Sequence, residues 1–234
     1  MPERDLPSLY YTFIGSLPTF PASLETAKNL PITAVRLEGR LAGILNPHDH
    51  ATVHTFEKTL FGFNYDSDDD YLERARNLLD QAAEVSPHVV EACRFLIEQR
   101  LLIGLLRRQL KGKDLPHGFD ENWAPFLSDN DPILIKRNWK QPCFNLMARH
   151  PWMKQMYELI QNDEAIESER LLTSLQWDVL SDLNFQSGFD FSAVILYVLK
   201  WHVMRQWVSH MPEESLELIN SEVNKIVEQT EIRA

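Results

Sequence analysis

Residues 189–208 read FDFSAVILYVLKWHVMRQWV. Drawn as a helix, this stretch carries Val194, Val198, Trp201, Val208 and then Met211, joined by Leu196, Tyr197, Val203 and Met204 on its other faces. A helix that is apolar over most of its circumference has to be surrounded by other elements, so this one is expected at the centre of the protein. Asp190, Lys200, His202 and Arg205 interrupt it. Its longest apolar run falls well short of the ~20 residues that cross a bilayer, so it reads as a core helix and not as a membrane span. Lys200 and Arg205 would be costly if buried alone. Asp178 or Asp182 on the preceding helix are the expected partners, with snorkelling toward solvent as the alternative for the lysine.

The pattern continues outward from this helix. Residues 163–183 read as a long helix with Leu171, Leu175, Val179 and Leu183 in an i, i+4 stripe. His150-Pro151 opens a helix through residue 160, and Asp131-Pro132 a short one through residue 139. The longest helix spans 88–111, with Ser86-Pro87 as N-cap and first-turn proline and Gly112 at its end. Residues 112–130, with Pro116, Gly118 and Pro125, read as loop. Another helix spans 71–85, preceded by Asp68, Asp69 and Asp70, whose charge offsets the positive end of the helix dipole. Shorter helices are expected at 23–28, 33–41 and 51–61, with Asn46-Pro47 as a break, and a last one from Pro212 to about residue 228. Residues 8–21, SLYYTFIGSLPTFP, carry strand-type side chains and read equally as a short strand or a short buried helix. The fold class is therefore all-α, antiparallel helical bundles with one strand-like alternative near the N-terminus. The segments are an N-terminal helical region (1–112), a connecting loop and short helix (113–137) and a C-terminal bundle (138–234), which can equally form one continuous domain.

The chain has 234 residues, 44% of them apolar, enough to bury a sizeable core. Net charge is −11, distributed as −6 over residues 1–85, +3 over 86–150 and −8 over 151–234. An acidic whole argues against non-specific nucleic-acid binding, which needs a basic surface. Cys93 and Cys143 belong to no CxxC pair and read as reduced, packed thiols of a cytosolic protein. The N-terminus, MPERDLPSLYY, is charged and then aromatic, so no signal peptide is expected.

One segment tempts a metal reading: Asn46-Pro47-His48-Asp49-His50, with His54 close behind. His50 and His54 are four apart and share a helix face, a spacing that zinc uses. A polar turn with Asp49 capping the helix is the simpler reading, and no metal is assigned. Glu84, Glu91 and Glu98 recur every seventh residue and read as a solvated stripe. There is no GxSxG, P-loop or GxGxxG, so neither a catalytic constellation nor a cofactor is expected. The basic middle is more informative. Arg100, Arg107 and Lys111 share one helix face, Arg108 lies alongside, and Lys136 and Arg137 follow after the loop. These six residues are the candidate partner interface, suited to an acidic helix of another protein. Gly104 lies among them, and a glycine in a helix interior can mark a close backbone approach.

Certain segments resemble a known family: LYYTFIGSLP near the start, then Asn138-Trp139, Arg149-His150-Pro151-Trp152, Asp163 with Glu169-Arg170, Trp177-Asp178, Phe189-Asp190 and Tyr197 with Lys200. They look like a little-characterised bacterial family encoded within V/A-type ATPase operons. That family is itself distantly similar to the funnel-shaped, socket-like stalk component of those ATPases, their C-type subunit (d-type in eukaryotes). Tyr197-Val198-Leu199-Lys200 with the trailing Arg205 resembles a helix of that component. The resemblance implies a helical, non-enzymatic subunit that couples the central stalk to the membrane ion-carrying ring. It implies other ATPase subunits, the central shaft and the ring, as partners. The expected location is cytoplasmic and peripheral at the inner face of the cell membrane, with membrane contact only through partner proteins. Two alternatives from other classes are a cytosolic assembly chaperone for a membrane complex and a metal-dependent helical hydrolase built on His48, His50 and His54.

Overall fold

A computed structural model describes residues 6–62 and 65–210. The helix expected from Pro212 onward lies outside the described residues. Within them the protein is all-helical: α1 (Leu6–Ser16), α2 (Ala34–Ile44), α3 (Pro47–Phe61), α4 (Asp68–Val85), α5 (Pro87–Leu110), α6 (Asp131–Arg137), α7 (Trp152–Gln161), α8 (Ala165–Gln186) and α9 (Phe191–Ser209).

Local signals in the sequence account for most helix boundaries. Asn46 caps α3 through Asp49 N, with Pro47 in the first turn. Ser67 caps α4, and Asp68, Asp69 and Asp70 fill its first turn. Ser86 ends α4 and starts α5 at once: its N–H donates to Ala82 O and its Oγ accepts from Val89 N. A single linking residue forces α4 and α5 into an antiparallel pair, and the short link 187–190 does the same for α8 and α9.

The sequence leaves residues 8–21 open between strand and helix; the structure makes residues 6–16 a helix. Tyr10, Phe13 and Leu17 are all buried at helical spacing, so packing against α9 imposes a period near 3.6 on strand-type side chains. Beyond α1 the chain runs as a strap over α9. Tyr197 OH donates to Pro18 O (3.0 Å) and Trp201 Nε1 to Ile32 O (2.9 Å). The strap contains only a short 3-10 turn, Leu24–Thr26, where a helix over 23–28 is expected.

α9 is the central helix. All residues from Ser192 to Trp201 are buried, as are Val203, Met204 and Val208, and α9 packs on α1, α3, α5 and α8. One contiguous hydrophobic cluster runs from Tyr10 to Val208 and draws on all three sequence segments. In α8 the buried face is Thr173, Gln176, Trp177, Leu180 and Leu183. The stripe Leu171, Leu175 and Val179 is only half-buried, because α8 touches α5, α7 and α9 at once and is not a one-faced helix.

Candidate functional site

The expected partner interface divides into three parts. Arg100 is half-buried, its guanidinium stacked 4.4 Å from the Tyr71 ring and 4.8 Å from the Tyr65 ring. Arg107 is exposed, and both arginines line a groove of ≈ 790 Å³ between α4, α5, α8 and α9. Arg108 turns away from that face and donates from Nε to Asp114 O (2.6 Å), fastening the chain beyond α5. Lys111 and Arg137 are exposed, whereas Lys136 pairs with Asp120 (2.6 Å). Gln109 donates to Trp139 O, and Trp139 Nε1 donates to Lys113 O (3.1 Å), bringing the end of α5 beside the chain that follows α6. Arg107, Arg108, Lys136 and Arg137 all occupy the last turns of their helices, where positive charge also offsets the negative dipole end. Gly104 is not a close approach: a Cβ there meets only the Trp123 ring, at 3.9 Å, an ordinary contact.

Many of the aromatic residues of the family resemblance, with Lys200, Arg149 and His150, fall in two groups, whereas Asp163 and Asp178 are exposed outside both. In the first, Phe20 from the strap packs edge-on to Trp177 (5.6 Å) and against Tyr197 (4.5 Å). Lys200 Nζ lies 4.1 Å from the Trp177 ring centroid and 5.2 Å from that of Phe20. Tyr10 packs on Phe191 and Tyr11 on Phe189. The carboxylate partners expected for Lys200 are not there: Asp178 and Asp182 are exposed, and the ammonium is balanced by ring faces. Lys200 is only 8% exposed, and burial pulls its pKa down to about 8. Arg205 is exposed, over the Trp201 ring.

In the second cluster, fully buried Asp131 takes His150 Nε2 at 2.6 Å and an ion pair from Arg149 Nε, also at 2.6 Å. Trp139 stacks on Phe144 (5.2 Å, 14°). Glu98, expected in a solvated stripe, accepts from Ser128 N (2.6 Å) and Ser128 Oγ (3.0 Å) and so anchors the loop before α6. Cys93 and Cys143 are free and buried; burial raises both thiols, that of Cys143 to about 11, which favours the protonated form.

The histidine segment divides as well. His48 is exposed. Asp49 sits at the start of α3 and accepts from Asn46 Nδ2 (2.8 Å) and from the Tyr10 hydroxyl. His50 and His54 both turn toward Glu38 of α2: His50 Nε2 is 2.9 Å and His54 Nε2 3.3 Å from Glu38 Oε1. Across its ring, His54 Nδ1 meets Glu57 Oε2 at 2.8 Å, and Glu57 Oε1 meets His202 Nε2 of α9, also at 2.8 Å. Burial pushes the Glu57 carboxyl up, but the hydrogen bonds and charges of His202 and His54 outweigh it and hold its pKa below the ordinary value. Among these five residues, the sequence alone points only to His50 and His54. Glu57 is within reach of such reading, three residues after His54 on the same helix; Glu38 and His202 come from other helices and leave no local trace.

No protein-family model matches the chain, and the searches of curated proteins and of solved structures return no match either. No helix among the described residues is long and apolar enough to cross a membrane.

Proposed function

We propose that this chain is a non-catalytic component of a V/A-type ion-translocating ATPase, similar to its socket-like stalk component and coupling the central stalk to the membrane ring at the cytosolic face. The observation that carries the reading is the position of the residues in the resemblance. Tyr10, Trp177, Tyr197 and Lys200 pack on or around α9, Arg149 and His150 hold buried Asp131 with Trp152 beside His150, and Trp139 stacks on Phe144. They build a stiff helical body instead of facing a common reacting point. Torque transmission requires such a body together with a docking surface. Arg107, Lys111 and Arg137 supply exposed positive charge on an otherwise acidic chain, suited to an acidic face of a neighbouring subunit.

The test is affinity purification from native membranes at moderate salt, with mass spectrometry of the co-eluting proteins. Stoichiometric catalytic, shaft and ring subunits are the expected result. Elution of the chain alone, beside an otherwise intact ATPase, rejects the subunit reading and leaves a transiently bound assembly chaperone or an unrelated helical protein.

A further inference from the structure

We propose that Glu38, His50 and His54 form a binding site for a zinc-class divalent cation, linking α2 to α3, with Glu57 holding the His54 ring from its far side. Each of the three residues offers one donor atom, and the three atoms lie within 4.8 Å of one another. Ligands about 2.0–2.1 Å from a tetrahedral zinc ion are ~3.3 Å apart. Two of the separations here, 3.3 Å from Glu38 Oε1 to His54 Nε2 and 2.9 Å to His50 Nε2, are close to that value, and the two imidazoles lie near each other, with ring centroids 4.5 Å apart.

Hydrogen-bond accounting points the same way. His54 has a carboxylate oxygen at each ring nitrogen, Glu57 Oε2 at Nδ1 and Glu38 Oε1 at Nε2. A neutral imidazole donates from one nitrogen only. A cation between Nε2 and Glu38 meets both contacts at once: Nδ1–H then donates to Glu57, and a carboxylate behind a ligating imidazole is the usual way such a ring is oriented and its basicity raised. Glu57 is itself fixed by His202 from α9, and His202 stacks on Phe61 (4.8 Å, 12°), so the support reaches the central helix.

Two imidazoles and one carboxylate select zinc and its neighbours over magnesium or calcium, which prefer all-oxygen shells. Three protein ligands leave a position open. The side chains are reachable, Glu38 at 46%, His54 at 34% and His50 at 25% exposure. Glu38, His54, Glu57 and His202 also line a groove of ≈ 660 Å³, through which water or a small anionic ligand can reach that position. The other triad of similar composition, Glu98, Asp131 and His150, lacks this opening, since Arg149 already places its cation against Asp131. The inference is independent of the ATPase reading and stands or falls separately.

The test is calorimetric titration of Zn²⁺ into full-length, untagged, metal-free protein, with Mg²⁺ in parallel and thermal melts of each mixture. We expect one equivalent of zinc bound at micromolar Kd or tighter, a Tm raised by a few degrees, and no heat from Mg²⁺. Glu38→Gln and His50→Ala, both at accessible positions, are expected to weaken binding at least tenfold while circular dichroism stays unchanged. Glu57→Gln is expected to weaken it by roughly 10–100-fold without removing a ligand, and His150→Gln to leave it unaltered. Absence of zinc binding at 100-fold molar excess overturns the proposal. So does binding that survives both Glu38→Gln and His50→Ala, or that disappears with His150→Gln while circular dichroism stays unchanged.

Discussion

Lys200 is a cation held by aromatic faces instead of carboxylates, and this gives it a measurable pH signature. Its pKa falls from an ordinary 10.5 to about 8 on folding, through burial. Below pH 8 the lysine is charged in both states, and the folded state bears the full desolvation cost. Between pH 8 and 10.5 the unfolded chain binds more proton than the folded one, so this contribution to stability rises with pH. A shift of that size corresponds to about 3 kcal/mol at most. Denaturant melts of the wild type and of Lys200→Met are expected to differ most near pH 7, the variant being the more stable. The gap should narrow toward pH 10.5; a pH-independent gap rejects the account. Gln99 and Gln176 make a second residue-scale case, as their buried side chains bond to each other at 2.9 Å. Gln176→Leu alone strands Gln99 and is expected to cost about 1–3 kcal/mol, whereas the double change to leucine recovers most of it. A double-mutant cycle with no coupling contradicts this. None of these partners is legible in the sequence, because Phe20 and Trp177, like Gln99 and Gln176, are brought together only by the tertiary fold.

At the scale of elements the sequence is most legible where its signals are local. The aspartates 68–70 and Ser86-Pro87 mark helix starts by chemistry that needs no tertiary partner, whereas Asn46-Pro47, read as a break before a helix at 51–61, is itself the cap and first turn of α3. Periodicity fails where an element is buried on several sides, as in α8, or is too short to show a period, as in α1. The candidate site follows the same division: His50 and His54 are visible as an i, i+4 pair, while Glu38 and His202 become visible only with the fold. Gly104 in α5 offers a direct test at this scale. Its missing Cβ has room beside Trp123, so Gly104→Ala is expected to stabilise the protein by about 1 kcal/mol through helix propensity. Destabilisation in a thermal melt would restore the idea that the backbone must be approached closely there.

For the whole molecule, the exposed arginine and the arginine that fastens the chain beyond α5 should separate. Under the proposed stalk role, Arg107→Glu is expected to weaken assembly about tenfold or more in a salt-dependent manner while Tm stays within a degree or two. Arg108→Glu also releases the Asp114 carbonyl and is expected to lower Tm as well. Equal recovery of complex with wild type and Arg107→Glu removes this face from the docking surface.

The strap over α9 also constrains biosynthesis. A chain emerging from the ribosome makes Tyr10, Phe13 and Leu17 first, yet the helix that covers them and the side chains that grip Pro18 and Ile32 are among the last described residues to appear. Closing contacts of such long sequence separation is slow, and the early segment stays uncovered until α9 has been made. Stalled chains ending before residue 190 are expected to remain open to proteolysis near residues 10–17, and chains extended past residue 209 and clear of the exit tunnel to become protected there.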